Sequence, residues 1–175
     1  MLIIFIFDSF MVKMRSRERK DLSEWQTRVI FRPVLKSDLN EILKIEKQSF
    51  PTPWSREMFS KELELGFSYH RLLELREEGK ILAYIFCWLG KEEASILSLA
   101  VAPEWRRKGL GSYLLQEALS ELKGLGIRSV WLEVRLSNLP AQALYKKFGF
   151  EETGVRPLYY RDTGEDALVM KKELD

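Results

Sequence analysis

Arg106-Arg107-Lys108-Gly109-Leu110-Gly111 sets three cations and two glycines between an apolar run, Ser95 to Val101, and a segment with apolar residues at Leu110, Leu114, Leu115, Ala118, Leu119 and Leu122. The run reads as a buried strand closed by Pro103, and the later spacing is helical. A strand, a basic Gly-containing loop and a helix start suit a phosphate. The first helical turn offers free backbone N–H groups and a partial positive charge, and glycine lets the chain approach an anion closely. Spacing alone leaves an ordinary tight turn open. The loop has no Gly-Lys-Ser/Thr, so it is not a P-loop. It also sits mid-chain, and Asn138, beyond the roughly 20-residue distance at which a dinucleotide fold places its acidic residue, is no carboxylate. A pyrophosphate of the kind coenzyme A carries remains.

Glu133 is the second chemical candidate. Alternation along Val130-Trp131-Leu132-Glu133-Val134-Arg135 puts Val130, Leu132 and Val134 on one face and Trp131, Glu133 and Arg135 on the other. A carboxylate among bulky neighbours needs a partner or a role, and partial burial suits a general base. A solvated strand face with Glu133 paired to Arg135 stays open. Tyr145 shares a helical face with Ala141, Leu144 and Phe148, which fits a core tyrosine as well as a proton donor. Asn138 suits an N-cap, with Pro140 tolerated in the first turn. Cys87, in an apolar run without basic neighbours, reads as a core residue, and His70 as structural or exposed.

The elements that must hold these residues follow from pattern. A strand is expected over Val29–Val34. A helix capped by Ser37-Asp38 carries Leu39, Ile42, Leu43, Ile45 and Glu46, and Phe50-Pro51-Thr52-Pro53-Trp54 breaks it. Ser55 caps a second helix that Gly66 closes. Strands near 69–76 and 80–89 form a hairpin through Glu77-Glu78-Gly79-Lys80. Ile81 to Leu89 is almost wholly apolar, as for a strand covered on both faces. Gly124-Leu125-Gly126 stops the helix after the basic loop. A strand near 129–135, a helix over Leu139–Phe148 ended by Gly149, and strands near 150–157 and 166–172 complete an α/β layout with a mixed sheet.

The 175 residues suffice for one domain with a proper core. The formal charge is +2, but residues 1–20 hold five Lys/Arg and two Asp/Glu, leaving 23 basic and 24 acidic residues elsewhere. The folded part is therefore no general nucleic-acid binder. A single Cys forbids an internal disulfide and fits a reducing, cytoplasmic setting. One His and one Cys cannot build an ordinary zinc site, so no metal is expected. Residues 1–27 read as an extension, apolar and then basic. Its charge follows the apolar run and no cleavage site appears, so it is not a secretory signal. The run is also shorter than the roughly 20 residues of a membrane span. It is read as disordered or loosely docked, with a membrane-surface anchor or an exchanged segment as alternatives and Met11 or Met14 as alternative starts. Residues 28–175 form the domain.

Taken in order, Leu97-Ser98-Leu99-Ala100-Val101, the Arg106–Gly111 loop, Trp131-Leu132-Glu133-Val134-Arg135, Ser137-Asn138, Ala143-Leu144-Tyr145 and Phe148-Gly149-Phe150 resemble the GNAT superfamily of N-acetyltransferases. The likeness runs from about Arg28 to Lys172. Phe50–Ser55 and Tyr159–Met170 look like the bacterial ribosomal-protein-alanine N-acetyltransferases. The resemblance implies a single-domain GNAT fold: a twisted, mostly antiparallel mixed sheet flanked by helices, with acetyl-CoA in the splay between the fourth and fifth strands. It implies acetyl-CoA contacts through the backbone of Leu99, Ala100 and Val101. Arg107, Lys108, Gly109, Leu110, Gly111 and Ser112 would cradle the pyrophosphate, and Asn138 would meet the pantetheine or thiol end. Glu133 would be the general base and Tyr145 the general acid, with no acyl-enzyme. Ser98, where the subfamily more often has Asn, and Pro140, where small residues are usual, are departures; the extension has no counterpart.

The implied acceptor is the N-terminal amine of a protein, in the subfamily a small-subunit ribosomal protein. Trp54, Tyr159 and Tyr160 would line a groove that admits a chain end, although ordinary packing of turns fits these aromatics too. Two other functions stay open. A small-amine or lysine acetyltransferase could use Glu46, Glu57, Asp162 and Glu165 to hold a polycation. A non-catalytic acyl-CoA-binding scaffold would need neither Glu133 nor Tyr145.

Overall fold

The computed structural model describes residues 27–174. The expectations for the extension lie outside them, apart from Thr27. The chain opens with β1 (Val29–Pro33), a 3-10 turn (Lys36–Asp38), α1 (Leu39–Ser49) and α2 (Arg56–Glu62). An antiparallel meander follows: β2 (Ser68–Leu75), β3 (Lys80–Leu89) and β4 (Glu93–Val101). A second 3-10 turn (Pro103–Trp105) leads to α3 (Leu110–Gly124), β5 (Ser129–Arg135), α4 (Leu139–Lys147), β6 (Glu151–Tyr160) and β7 (Glu165–Glu173). The sheet order is β1-β2-β3-β4-β5-β7-β6, and only β4 and β5 run parallel.

Each face of the sheet has its own apolar layer. On one, Leu110, Leu114, Leu115, Ala118, Leu119 and Leu122 of α3 pack with Leu73, Ile85, Val130, Leu132 and Tyr145. On the other, Leu39, Ile42 and Ile45 of α1 and Phe59 of α2 cover Leu72, Tyr84, Phe86 and Ala100. Ile81 to Cys87 is buried throughout because β3 lies between both layers, which is why its sequence loses alternation. Each such buried aliphatic or aromatic side chain contributes about 1.5–3 kcal/mol relative to exposure.

The irregularity that shapes the molecule is at Leu97. The β3–β4 register moves from Cys87↔Ile96 to Phe86↔Ser98, leaving Leu97 as the extra residue of a bulge. Before it, Ala94 and Ile96 belong to the α3 layer. After it, Ala100 belongs to the α1 layer while Leu99 and Val101 pack on the α3 side. One inserted residue has exchanged the faces, as the two-residue period of a strand requires. Pairing between β4 and β5 runs from Glu93↔Ser129 to Ile96↔Leu132 and goes no further. The expected splay between the fourth and fifth strands therefore starts at the bulge.

Two local expectations are corrected. Asp38 stands at the N-cap position of α1, yet its side chain makes no cap bond there. It accepts from the Leu35 N–H at 2.7 Å and from Arg32 at 2.7 and 2.9 Å. The guanidinium is the stronger partner, so the carboxylate turns away from the helix. The second helix ends at Glu62, short of Gly66. Ser55 does cap it, accepting from the Met58 N–H at 3.3 Å.

Candidate active site

Beyond Ile96 and Leu132 the two parallel strands part around a cleft of about 770 Å³. Leu97, Ser98 and Leu99 line it from β4, and Leu132, Glu133, Val134 and Arg135 from β5. Asn138, Ala141 and Tyr145 close it from the α4 side. Phe50 to Trp54 and Tyr159 to Asp162 supply two further walls. On the cleft side the backbone of Leu97–Val101 has no strand partner, so apart from the Val101 carbonyl, which Arg106 takes, its outward polar groups are open to a ligand.

Glu133 lies on the predicted face of β5, half-buried, opposite the core face of Val130, Leu132 and Val134. Its partner is not Arg135. Arg156 of β6 holds it, Nη1 to Oε1 at 2.9 Å. Arg135 is engaged elsewhere: it meets Asp162 at 2.7 Å, Glu165 at 3.5 Å and the Thr163 hydroxyl at 2.6 Å, and its guanidinium stacks 3.9 Å from the Tyr160 ring centroid. The Tyr160 hydroxyl donates to the Glu133 backbone carbonyl at 3.3 Å, and burial pushes that phenol up to about 12.

Tyr145 is a buried residue on the core face of α4, with its ring edge-on to Phe150 at 5.5 Å. It is thus both a core tyrosine and a cleft residue. Burial raises its phenol well above the ordinary value, which keeps the proton on the oxygen. Asn138 caps α4, accepting from the Ala141 N–H at 3.2 Å, while also lining the cleft. Buried Gln142 donates to the carbonyls of Arg135 and Leu136 at 3.0 and 2.9 Å. It fixes the turn that delivers Asn138.

The basic loop lies beyond the far end of β4. Arg107 has φ 63° and Gly109 φ 88°, so the chain reverses tightly into α3. Gly109 stands at the N-cap and has no side chain to cap with, and the first turn holds no acidic residue. The N–H groups of Leu110, Gly111 and Ser112 precede the first in-helix bonds, as at any helix start. Lys108 stands over the Trp105 ring at 4.6 Å. Arg106 turns inward instead: it donates to the Val101 carbonyl at 2.9 Å and the Ser49 hydroxyl at 2.8 Å, bracing α1 against the end of β4. The side chains of Ala100 and Val101 pack into the two layers, leaving only their backbone toward the splay.

The two walls touch. Thr52 Oγ1 donates to Asp162, joining the α1–α2 loop to the β6–β7 hairpin. That bond and the one from Arg135 hold the Asp162 carboxyl below its usual range. Between Arg156↔Ala167 and Tyr160↔Glu165 the hairpin pairing is interrupted, and Leu158 takes φ 51° while its N–H finds Asp166 at 2.8 Å. This irregular stretch carries Tyr159, whose ring lies 5.1 Å from that of Tyr160. Trp54 lines the cleft with its ring against Phe59 and Phe86 at 5.2 and 6.2 Å.

Buried Glu46, on α1, also lines the cleft. It accepts from the Trp54 N–H at 2.9 Å and from the Tyr84 hydroxyl. Burial raises its pKa although both bonds oppose this. The polycation cluster imagined from Glu46, Glu57, Asp162 and Glu165 does not assemble: Arg135 takes two of them, Tyr84 and Trp54 take Glu46, and Glu57 is exposed. Sequence reasoning missed Arg156 as the partner of Glu133, Gln142 as the holder of the turn, and Glu46 as a loop anchor. Only Glu46 left a signal, a carboxylate on the apolar stripe with Leu39, Ile42 and Leu43. Cys87 is fully buried with its thiol pushed up, as a core residue should be, and His70 packs on Phe86 at 5.7 Å.

Residues 39–150 match the family model of the acetyltransferase (GNAT) family. A Bacillus subtilis (strain 168) protein provisionally named ribosomal protein bS18-alanine N-acetyltransferase is 39% identical over 145 residues, 83% of this chain and 95% of that one. The Escherichia coli (strain K12) ribosomal protein bS18-alanine N-acetyltransferase is 37% identical over 139 residues, 77% and 90% of the two chains. The crystal structure of the E. coli ribosomal-protein-S18-alanine N-acetyltransferase superposes with a TM-score of 0.77 at 32% identity, covering 84% of this chain and 94% of that one. With the strand splay, the basic turn into α3 and Glu133 beside Tyr145 in one cleft, this chain belongs to the GNAT family of acetyltransferases.

Proposed function

We propose that the chain transfers the acetyl group of acetyl-CoA, the family's acetyl donor, to the N-terminal α-amine of a protein, and that the acceptor is a ribosomal protein beginning with alanine. The observation that carries this is the bridged cleft: a carboxylate and a neutral phenol line one opening between parted strands, roofed by two walls joined through Thr52 and Asp162. A roof of this kind suits a chain end entering lengthwise.

The donor brings an activated thioester carbonyl. The open N–H groups along Leu99–Val101 are aimed to hold that carbonyl oxygen as charge develops on it. Arg107, Lys108, Gly109, Leu110, Gly111 and Ser112 take the pyrophosphate at the start of α3, and Asn138 lies toward the thiol end. Trp54, Tyr159 and Tyr160 flank the acceptor. An α-amine, with a pKa near 7.7–8.0, is partly neutral already, whereas a lysine amine at about 10.4 is not. Glu133 has one proton to remove, directly or through water. Tyr145 returns a proton to the departing sulfur. No protein nucleophile is needed, which fits the buried, protonated Cys87.

Thiol release from acetyl-CoA tests this with peptides beginning in Ala, Ser or Met, with N-terminally blocked peptides carrying Lys, and with spermidine. Turnover of free-N-terminus peptides is expected. Turnover of blocked peptides or spermidine alone overturns the N-terminal assignment, and binding of acetyl-CoA without any turnover marks a scaffold.

A further inference from the structure

One guanidinium holds the tip of a cleft wall. Arg135 lies two residues after Glu133 on the same face of β5, with its side chain only 14% exposed. It binds the tip of the β6–β7 hairpin at three residues: Asp162 at 2.7 Å, the Thr163 hydroxyl at 2.6 Å and Glu165 at 3.5 Å. The guanidinium also stands over the Tyr160 ring. A planar fork can serve several acceptors at once and still stack on an aromatic face, which a lysine ammonium cannot. The β6–β7 ladder is interrupted between Arg156 and Tyr160, so strand pairing contributes little just before the tip. Side chains fix its height over the cleft.

That tip carries one side of the cleft. Tyr159 and Tyr160 line the cleft on the way to it, and Tyr160 reaches back to the Glu133 carbonyl. Asp162 takes the bond from Thr52 that joins the two walls. The turn that delivers Asn138 is held differently. Gln142 binds it through the carbonyls of Arg135 and Leu136, main-chain groups that a change of the Arg135 side chain leaves in place. We infer that Arg135 is a positioning residue for the acceptor. It fixes the hairpin tip over Glu133 so that Tyr159, Tyr160 and the Thr52–Asp162 bridge hold an acceptor chain beyond its first residue. The site thereby favours a peptide over a single amino-acid amide. Arg135 acts through the wall, not on the reacting atoms. This rests on the N-terminal acetylation proposed above.

Acceptors of two lengths test it. Alaninamide offers the amine alone, and an Ala-initiated peptide also reaches the wall. The wild-type protein is expected to show the lower KM for the peptide. Arg135→Met keeps length and apolar contact with Tyr160 but loses every bond to the tip. It is expected to raise the peptide KM about tenfold, the loss of roughly one hydrogen bond's worth of binding. Peptide kcat, alaninamide kcat/KM and acetyl-CoA affinity by calorimetry are expected to stay near wild type. Arg135→Met also leaves Asp162 and Glu165 without their cation, so its Tm is expected to fall. Arg135→Met/Asp162→Asn/Glu165→Gln removes those charges while keeping an oxygen for Thr52 and one for the Ser137 N–H. That triple variant is expected to recover Tm but not the peptide KM. A merely structural role would recover both. Recovery of both, equal losses on peptide and alaninamide, or a wild-type protein indifferent to acceptor length each overturns the inference while the functional proposal stands. If the wild-type protein acetylates no amine, the functional proposal falls and this inference falls with it.

Discussion

Arg156 reaches from the edge strand β6 to Glu133 on β5, with Nη1 2.9 Å from Oε1. The proposed base thus meets a cation that reaches over β7, and an acceptor amine must compete with that cation for the carboxylate. Arg156 is more than half exposed, so the pair is worth only about 0.2–1 kcal/mol. Arg156→Ala is expected to lower the peptide KM by no more than about fivefold, most at low salt, in steady-state thiol-release assays. A rise in KM shows instead that Arg156 helps to hold the acceptor.

Glu133→Gln keeps size and one acceptor oxygen but cannot take a proton. A positioned base is worth roughly 10²–10⁴ in rate. Turnover is expected to fall within that range, with acetyl-CoA affinity by calorimetry unchanged. Wild-type turnover in this variant removes Glu133 from the mechanism.

Tyr145→Phe keeps the ring against Phe150 and deletes only the hydroxyl. A fall in kcat of roughly tenfold or more is expected, with little change in Tm. If Tm collapses while kcat per folded molecule holds, the residue is core alone.

The bridge from Thr52 to Asp162 is expected to exclude internal lysines by narrowing the entrance. Thr52→Val and Asp162→Ala each open it. Both are expected to raise activity on blocked Lys peptides relative to Ala-initiated peptides by several-fold. An unaltered ratio in both locates selectivity elsewhere.

The two glycines of the basic loop differ in kind. Gly109 sits at φ 88°, where a side chain costs about 1–2 kcal/mol. A Cβ on Gly111 meets Val101 and Leu144 at 3.5 and 3.6 Å, ordinary contact distances. Gly109→Ala is expected to weaken acetyl-CoA binding and lower Tm. Gly111→Ala is expected to leave Tm equal or higher, since alanine favours a helix by about 1 kcal/mol over glycine. Paired titration calorimetry and thermal melts check the contrast.

Burial pushes the Asp38 carboxyl up, but the bonds from Arg32 and the Leu35 N–H outweigh it, and the net pKa falls below 3.8. The folded state therefore binds that proton less readily than the unfolded chain. The stability this contributes is complete above the unfolded value and disappears as pH falls through the folded one. Asp38→Asn is expected to cost about 1.5–3 kcal/mol at pH 7 and progressively less as pH falls below 3.8, measured by urea melts over a series of pH values.

Strand and helix positions were legible because alternation and the three-to-four spacing act locally. Ser129–Arg135 is where the sequence puts it, with Glu133 on the predicted face. The unbroken apolar run of β3 announced its double cover. Motif order also singled out Glu133, Asn138 and Tyr145, which the fold brings to one cleft. Its wiring was not. Arg156 lies in a strand whose residues are nearly all exposed, so no pattern marks its partner 23 positions away. Asp38 looked like a cap because the chain alone does not show that Arg32 and Glu74 converge beside it. The bulge at Leu97 is equally silent, since Ser95–Val101 alternates no differently with or without an extra residue in the pairing.

That bulge leaves the molecule with an edge in its interior. Past Leu97, one side of β4 has no strand partner in the middle of a seven-stranded sheet, and of its row of polar groups Arg106 caps only the carbonyl of Val101. Sheets elsewhere blunt such rows with charge or proline because any extended chain can zip onto them. Here the row must stay adhesive enough to grip a ligand yet be denied to other strands. The joined walls line the same cleft, so loosening them is expected to raise self-association as well as to widen the entrance.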